Sequence, residues 1–409
     1  MKLFSSAGRA RRAAAVLATV TVAGTLLVAA PAAAAVHSAS ATIGGYPVWA
    51  HFTNPTAGRD YTIINELQRL IDRAPAGSTI KGTIHSLSID SVADALLRAQ
   101  TRGVTVMVVI DGKNAPSTDP AVTTIKKLAN HRFCTNASGG NGCISTSADG
   151  DMHTKMFTFT ATVDPAGVAR SSVSWFGSAN LTYATGTDAF NNTITVYGDA
   201  ALMNGLNANF SDLWNRRHYS GDDYYDSASG RGYYQATAAD AYASPEGEGQ
   251  TDTIATRLND LTPNSNCRLR VGMASVTSGR PKVVDVVKAY RAGGCAVWMA
   301  VGTDSAGGVA MTQSVYNDLL TAGVNIRRKD DIHNKFFLAY GSYGGTYQYR
   351  VYTGSQNWTQ DALNENDEIF VKMGPETGSV HPLYDAYYTH FNEAYNTGVT
   401  CTKSNYPCR

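Results

Sequence analysis

The sequence predicts an α/β protein made of two similar α-β-α layered halves related by a pseudo-two-fold axis. Three observations carry this. Helical and strand-like apolar periods alternate, which argues layered α/β architecture. The same order of elements occurs twice along the 409 residues. A pair of polar motifs also recurs at the same place in both copies.

The first 35 residues stand outside that scheme. Lys2, Arg9, Arg11 and Arg12 form a basic head. An apolar stretch from Ala13 to Ala30 follows, then "PAAAAV" with small residues suited to cleavage near Ala35. This order reads as a secretory signal peptide and not a membrane anchor. No other run is apolar and long enough to cross a bilayer. Without residues 1–35 the chain holds 30 Lys and Arg against 33 Asp and Glu, a formal charge of −3. A protein that grips nucleic acid through its phosphates usually carries a basic surplus, so the balance argues against that partner.

Element by element, the first copy opens with "YTIINELQRL" (Tyr61 to Leu70), whose Ile and Leu lie at helical spacing. "DTIATRLNDL" (Asp252 to Leu261) repeats it. "SVADALLRAQTRGVTVMVVIDG" from Ser91 matches "KVVDVVKAYRAGGCAVWMAVG" from Lys282. Each reads as a helix, a Gly-containing stop and a strand rich in β-branched residues. Next come "DMHTKMFTFT" from Asp151 and "DIHNKFFLAY" from Asp331, both read as strands. A second strand in each copy ends in Gly-Ser-x-Asn, at Gly177–Asn180 and Gly354–Asn357, and "FSDLWN" and "FNEAYN" close the copies as helices. The expected divisions are a first half at 40–220, a linker at 221–251 and a second half at 252–409. The Gly-, Ser- and Tyr-rich stretch around Tyr219 to Asp252 sets the seam.

Six cysteines fall in close pairs: Cys134 with Cys143, Cys267 with Cys295, and Cys401 with Cys408. An even count in an exported chain suggests disulfides, and proximity favours those pairs. None has the two-residue spacing of a zinc knuckle.

On a strand, residues two apart share a face, so His153 neighbours Lys155 and His333 neighbours Lys335. An imidazole beside an ammonium suits an anion, with the His able to attack or to transfer a proton near neutral pH. Gly-Ser-x-Asn adds a hydroxyl and an amide for phosphate oxygens, and its Gly permits close approach of a ligand. Two sets in one cleft give one His to attack phosphorus and one to protonate the leaving oxygen. The lysines carry the developing charge, so no metal or other cofactor is expected. His85 reads as structural. The other histidines lack metal-binding spacing, and neither a phosphate-binding Gly-rich loop nor a Gly-x-Ser-x-Gly elbow is present.

The paired motifs resemble those of the phospholipase D superfamily, His-x-Lys-x-x-x-x-Asp followed by Gly-Ser-x-Asn, over essentially the whole mature chain. The resemblance implies a phospholipase D-like fold and a covalent phosphohistidine. It makes His153 the nucleophile and His333 the acid, with Lys155, Lys335, Ser178, Asn180, Ser355 and Asn357 on phosphate oxygens. Two departures stand out. Thr160 and Tyr340 occupy the places of the motif's Asp, with Asp164 a nearby substitute in the first copy. Glu368 fits the carboxylate that orients a catalytic His, expected to serve His333. The first copy has Thr193 there, with Asp188 close by, which leaves the nucleophile assignment open to reversal. The implied protein is a secreted, monomeric phosphodiesterase acting on phospholipid head groups at a membrane or micelle surface. A nuclease of the same superfamily and a non-catalytic phosphate-binding relative are the alternatives.

Overall fold

The computed structural model describes residues 36–409; the expected signal peptide lies outside them. The first half runs β1 (Ser38–Ile43), β2 (Tyr46–Thr53), α1 (Thr62–Asp72), β3 (Thr79–Ile84), α2 (Asp90–Thr101), β4 (Thr105–Ile110), α3 (Pro120–Ile125), β5 (Asn130–Phe133), β6 (Met156–Val163), β7 (Ala169–Gly177), α4 (Tyr183–Thr187), β8 (Asn191–Tyr197) and α5 (Ala200–Asn215). The chain continues through β9 (Tyr233–Tyr234), β10 (Ala239–Ser244), α6 (Thr253–Leu258), β11 (Arg268–Met273), α7 (Pro281–Ala292), β12 (Ala296–Val301), α8 (Gln313–Thr321), β13 (Asn325–Arg328), β14 (Lys335–Tyr343), β15 (Thr346–Gly354), β16 (Glu368–Met373), α9 (Pro382–Asn396) and β17 (Val399–Thr400).

Two sheets result, ordered β1-β2-β8-β7-β6-β3-β4-β5 and β17-β13-β12-β11-β14-β15-β16-β10-β9. The run β5-β4-β3-β6-β7-β8 matches β13-β12-β11-β14-β15-β16, with the same mixture of parallel and antiparallel pairs. The predicted duplication is therefore the duplication of the fold. The segment expected as a linker at 221–251 is more than that. It supplies β9 and β10, and β10 pairs along the whole of β16, from Ala239 opposite Met373 to Ser244 opposite Glu368. This covers the open edge of β16 as β2 covers β8, satisfying backbone groups that a bare edge would expose.

The elements follow from their sequences. Helix α1 buries Ile63, Ile64, Leu67, Leu70 and Ile71, one stripe of a 3.6-residue period. Strands β4 "TVMVVI" and β12 "AVWMAV" bury both faces at their carboxyl ends, as strands covered by helices do. Three apolar clusters hold the layers. One joins α1, α2 and α3 to the first sheet, and another joins α6, α7 and α8 to the second. The third lies between the sheets. There Leu206 and Phe210 of α5 and Leu383, Tyr387 and Phe391 of α9 pack with Phe52 and Ile194 of one sheet and Phe336 and Val351 of the other. The halves thus share a core.

The three cysteine pairs form disulfides as expected from proximity, which suits an oxidising environment. No helix of the described residues is long and apolar enough to cross a membrane.

Candidate active site

Both His-x-Lys segments arrive at the same edge of their sheets, beside the carboxyl ends of β3 and β11. Only the later part of each segment is the expected strand. Strand β6 begins at Met156 and β14 at Lys335, so His153 and His333 lie in the approach segments. Those segments pair with the opposite half. His153 N–H donates to the Asp367 carbonyl at 2.9 Å, and Asp367 N–H donates back to the Asp151 carbonyl at 2.9 Å. The partner arrangement has His333 N–H on the Phe190 carbonyl at 3.0 Å and Phe190 N–H on the Asp331 carbonyl at 2.8 Å. The two-fold relation passes between these bridges and brings both histidines to one place.

The residue after each bridge supports the histidine across the axis. Glu368 Oε1 accepts from His153 Nδ1 at 2.6 Å. Asn191 Oδ1 lies 2.8 Å from His333 Nδ1. This corrects two expectations. Glu368 serves His153 and not His333, because β16 crosses to the other half's segment. The counterpart of Glu368 is Asn191 and not Thr193, since each is the first residue of its strand, 13 residues beyond the motif serine. Asp188 is exposed and bonded to its neighbour Thr187, away from either histidine. With Nδ1 engaged in both rings, Nε2 is the atom left for chemistry.

The serines also move to a different role. Ser178 Oγ donates to Asn191 Oδ1 at 2.9 Å and accepts from Asn192 N–H at 3.1 Å. Ser355 Oγ accepts from Ile369 N–H at 2.9 Å. Both are fully buried. Their hydroxyls fasten β8 and β16, and thereby Asn191 and Glu368, instead of facing a phosphate. The motif glycines have a related reason. A Cβ on Gly177 would meet the Asn192 carbonyl oxygen at 2.2 Å, and one on Gly354 the Ile369 carbonyl oxygen at 2.2 Å. The close approach is to the neighbouring strand. Asn180 and Asn357 keep partial exposure, and Asn357 Oδ1 has no partner.

The motif's absent Asp is absorbed structurally. Thr160 accepts the Thr79 N–H at 2.8 Å. Tyr340 packs at a tilt against Tyr349, with ring centres 4.4 Å apart. Both sit on the face opposite that of the preceding motif lysine, as strand parity requires. Asp164 does not substitute; it holds the β6–β7 hairpin through Arg170 at 2.8 Å and Val168 N–H at 2.9 Å.

The lysines lie under the histidines. Lys155 Nζ donates to the His153 carbonyl at 2.7 Å. Lys335 Nζ is 3.1 Å from the His333 carbonyl and 3.2 Å from His333 Nε2. Burial pushes Lys155 well below the usual ammonium range and Lys335 down to about 7, both opposed by Glu368. Both histidines are pushed well below their ordinary value by burial and then by the lysines of both halves. Burial raises Glu368 to about 8 against the pull of Lys155, Ser355 and Lys335. Cationic groups so lowered by burial and by one another are ones that a neighbouring anion would draw back towards their charged forms.

One residue read as structural belongs to the site. His85 follows β3, and its ring stands edge-on to His153, with centres 4.3 Å apart. Its Nδ1 is 3.3 Å from Asn180 Oδ1 and its Nε2 is 3.4 Å from Asp151 Oδ2. His85, Asp111 and Asp151 bring ligand-type atoms within 4.8 Å of one another. The Lys113 ammonium contacts His85 Nε2 and lies 3.4 Å from Asp151 Oδ2, so it takes the place a bound cation would occupy. The second half has Ala274 and Gly302 where the first has His85 and Asp111. That mismatch was visible in the sequence, but comparing copies hides what only one of them has.

A family model described as "Cardiolipin synthase, PLD-like domain" matches residues 67–214 and 263–393, more than half of the chain and both motif sets. The chain belongs to the phospholipase D superfamily. Among solved structures, phosphatidylserine synthase from Haemophilus influenzae shares the fold, with a TM-score of 0.57, 10% identity, and 86% of this chain and 87% of that one covered. Polyphosphate kinase from Porphyromonas gingivalis aligns over 79% of this chain at 11% identity and a TM-score of 0.49, and this chain spans only 47% of it. Nuc from Salmonella typhimurium, a phospholipase D family member, aligns at 19% identity, a TM-score of 0.32, and 41% of this chain and 99% of that one. No curated protein matches by sequence.

Proposed function

We propose that the protein is an exported phosphodiesterase that cleaves phospholipid head groups through a phosphohistidine, with His153 as nucleophile and His333 as general acid. The observation that carries this reading is the unequal crosswise support. Glu368 places a carboxylate behind His153, which favours the positive ring that forms when Nε2 bonds phosphorus. Asn191 places a neutral amide behind His333, which fixes its tautomer and leaves it free to exchange a proton.

In the first step His153 Nε2 bonds phosphorus as the P–O bond to the leaving group breaks. The departing oxygen takes a proton from His333, charged once the anion is bound. In the second step His333 takes a proton from water or an alcohol, whose oxygen bonds phosphorus while the N–P bond breaks. Water yields phosphatidate, and an alcohol yields head-group exchange. Lys155, Lys335, Asn180 and Asn357 hold the non-bridging oxygens and need no metal to balance their charge. The acidic surplus of the mature chain favours lipid over nucleic acid, and the match to a cardiolipin synthase family model supports the same choice. The active form is a monomer working at a membrane or micelle surface.

The test pairs phosphatidylcholine vesicles and DNA, each with and without a chelator, with wild type, His153→Ala and His333→Ala. Head-group release that survives chelation and is lost in both variants is expected. Cleavage of DNA alone would replace the lipase reading with a nuclease. Equal inertness of all three proteins would overturn the enzymatic reading for both substrates.

A further inference from the structure

The Val36 backbone meets a side chain of α9. Val36 N–H donates to Glu393 Oε1 of α9 at 2.7 Å. Glu393 is mostly buried, its side chain 14% exposed. Its other oxygen accepts from Asn54 Nδ2 at 2.9 Å and lies 3.6 Å from His390 Nδ1. The remaining charged or titratable neighbours are Asp60 and His37, which pair with each other at 2.9 Å. Burial holds His390 low, so it is a poor cation. Among the described residues no lysine or arginine forms an ion pair with Glu393. Glu393 is thus a part-buried carboxylate held by neutral donors, with room in its hydrogen-bond set for a cation at the Val36 nitrogen.

The sequence supplies one. Small residues Ala33 and Ala35 stand three and one before the Ala35–Val36 bond, the pattern a leader peptidase reads. Hydrolysis by that class of enzyme adds water across the bond. It leaves a carboxylate on Ala35 and an α-ammonium on Val36, at the nitrogen already seated on Glu393. We propose that the chain is cut between Ala35 and Val36, and that the new ammonium locks onto Glu393 as a buried ion pair that completes the exported fold. The lock bears on the active-site wall, since His390 on the same helix meets Asn334 at 3.1 Å, and Asn334 lies between His333 and Lys335.

The sign of the pH dependence follows. An α-ammonium beside a carboxylate has its folded pKa raised above the unfolded value of about 8, so its stabilisation is present below that value and lost as pH rises through the folded one. Glu393 is held below its ordinary value: burial opposes this, but the nearby His390 ring and the Val36 hydrogen bond prevail, so its share is lost only in acid.

The full chain is expressed with export, and the product is read by intact mass and N-terminal sequencing. A start at Val36 is expected; any other start overturns the proposal. Thermal unfolding then compares the processed wild type, Glu393→Gln, a variant with one glycine inserted between Ala35 and Val36, and the combination. Each single change is expected to lower Tm at pH 7 by about 2–4 °C. The combination should lower it no further, and the differences should close above about pH 10. An insertion without effect, or additive losses, would overturn the ion pair. The insertion variant keeps the test decisive should Glu393→Gln fail to fold.

Discussion

The two halves of this molecule share a strand order and a polar motif set, yet they treat their histidines differently. On one side His153 has Glu368 at 2.6 Å and His85 edge-on at 4.3 Å. On the other, His333 has Asn191 at 2.8 Å, and Ala274 stands where His85 would be. Symmetry built the scaffold, and the proposed division of work rests on its departures from symmetry. Two chemically equal histidines would compete for one role; a carboxylate behind one and an amide behind the other divides the roles between them.

The sharpest way to break that division is to remove the histidines one at a time. His153→Ala should lower turnover by about 10³–10⁴-fold and abolish a trapped phosphoenzyme. His333→Ala should lose a similar factor on a phospholipid but still label His153 with an ester whose leaving group departs without a proton. Labelling at His333, mapped by mass spectrometry, would reverse the assignment. The next effect belongs to the supports. Glu368→Gln should cost about 10²-fold in kcat, and Asn191→Ala nearer 10-fold, since an amide contributes orientation without charge. Steady-state kinetics at saturating lipid would show whether that order holds.

A smaller effect tests the buried cations. Lys335, lowered to about 7, is charged below that pH and neutral above it. Affinity for sulfate, whose own charge is constant across the range, should be highest below pH 7. It should then fall by up to about tenfold per pH unit above it. Lys335→Met should bind weakly and remove that slope, as read by calorimetry from pH 6 to 9. The smallest effect concerns the motif's missing Asp. Tyr340→Asp breaks an aromatic ladder and should cost about 1 kcal/mol in urea unfolding while leaving kcat unchanged. A rise in kcat would show that the Asp matters to chemistry here.

Much of this was legible in the chain itself. The duplicated order of helices and strands gave the two matched sheets, and adjacent cysteines gave the disulfides. The motifs named His153, Lys155, His333 and Lys335 correctly as neighbours. What was not legible has one physical root: pairing across the axis. Within one copy Glu368 follows His333, so nearness in sequence pointed to the wrong histidine. Asn191 carries no carboxylate to mark it in the sequence, and the strand neighbours that take up the Ser178 and Ser355 hydroxyls appear only in the fold. The edge strands β9 and β10 hide in a polar, Gly-rich stretch whose role appears only beside β16.

The exchange of supports between halves also bears on timing. A chain with only its first half folded has His153 without Glu368, and its carbonyl partner at Asp367 is missing too. Such an intermediate holds neither a supported His153 ring nor the paired set of histidines and lysines. The site is therefore complete only once both copies have folded and docked, and whatever chemistry it performs waits on that assembly.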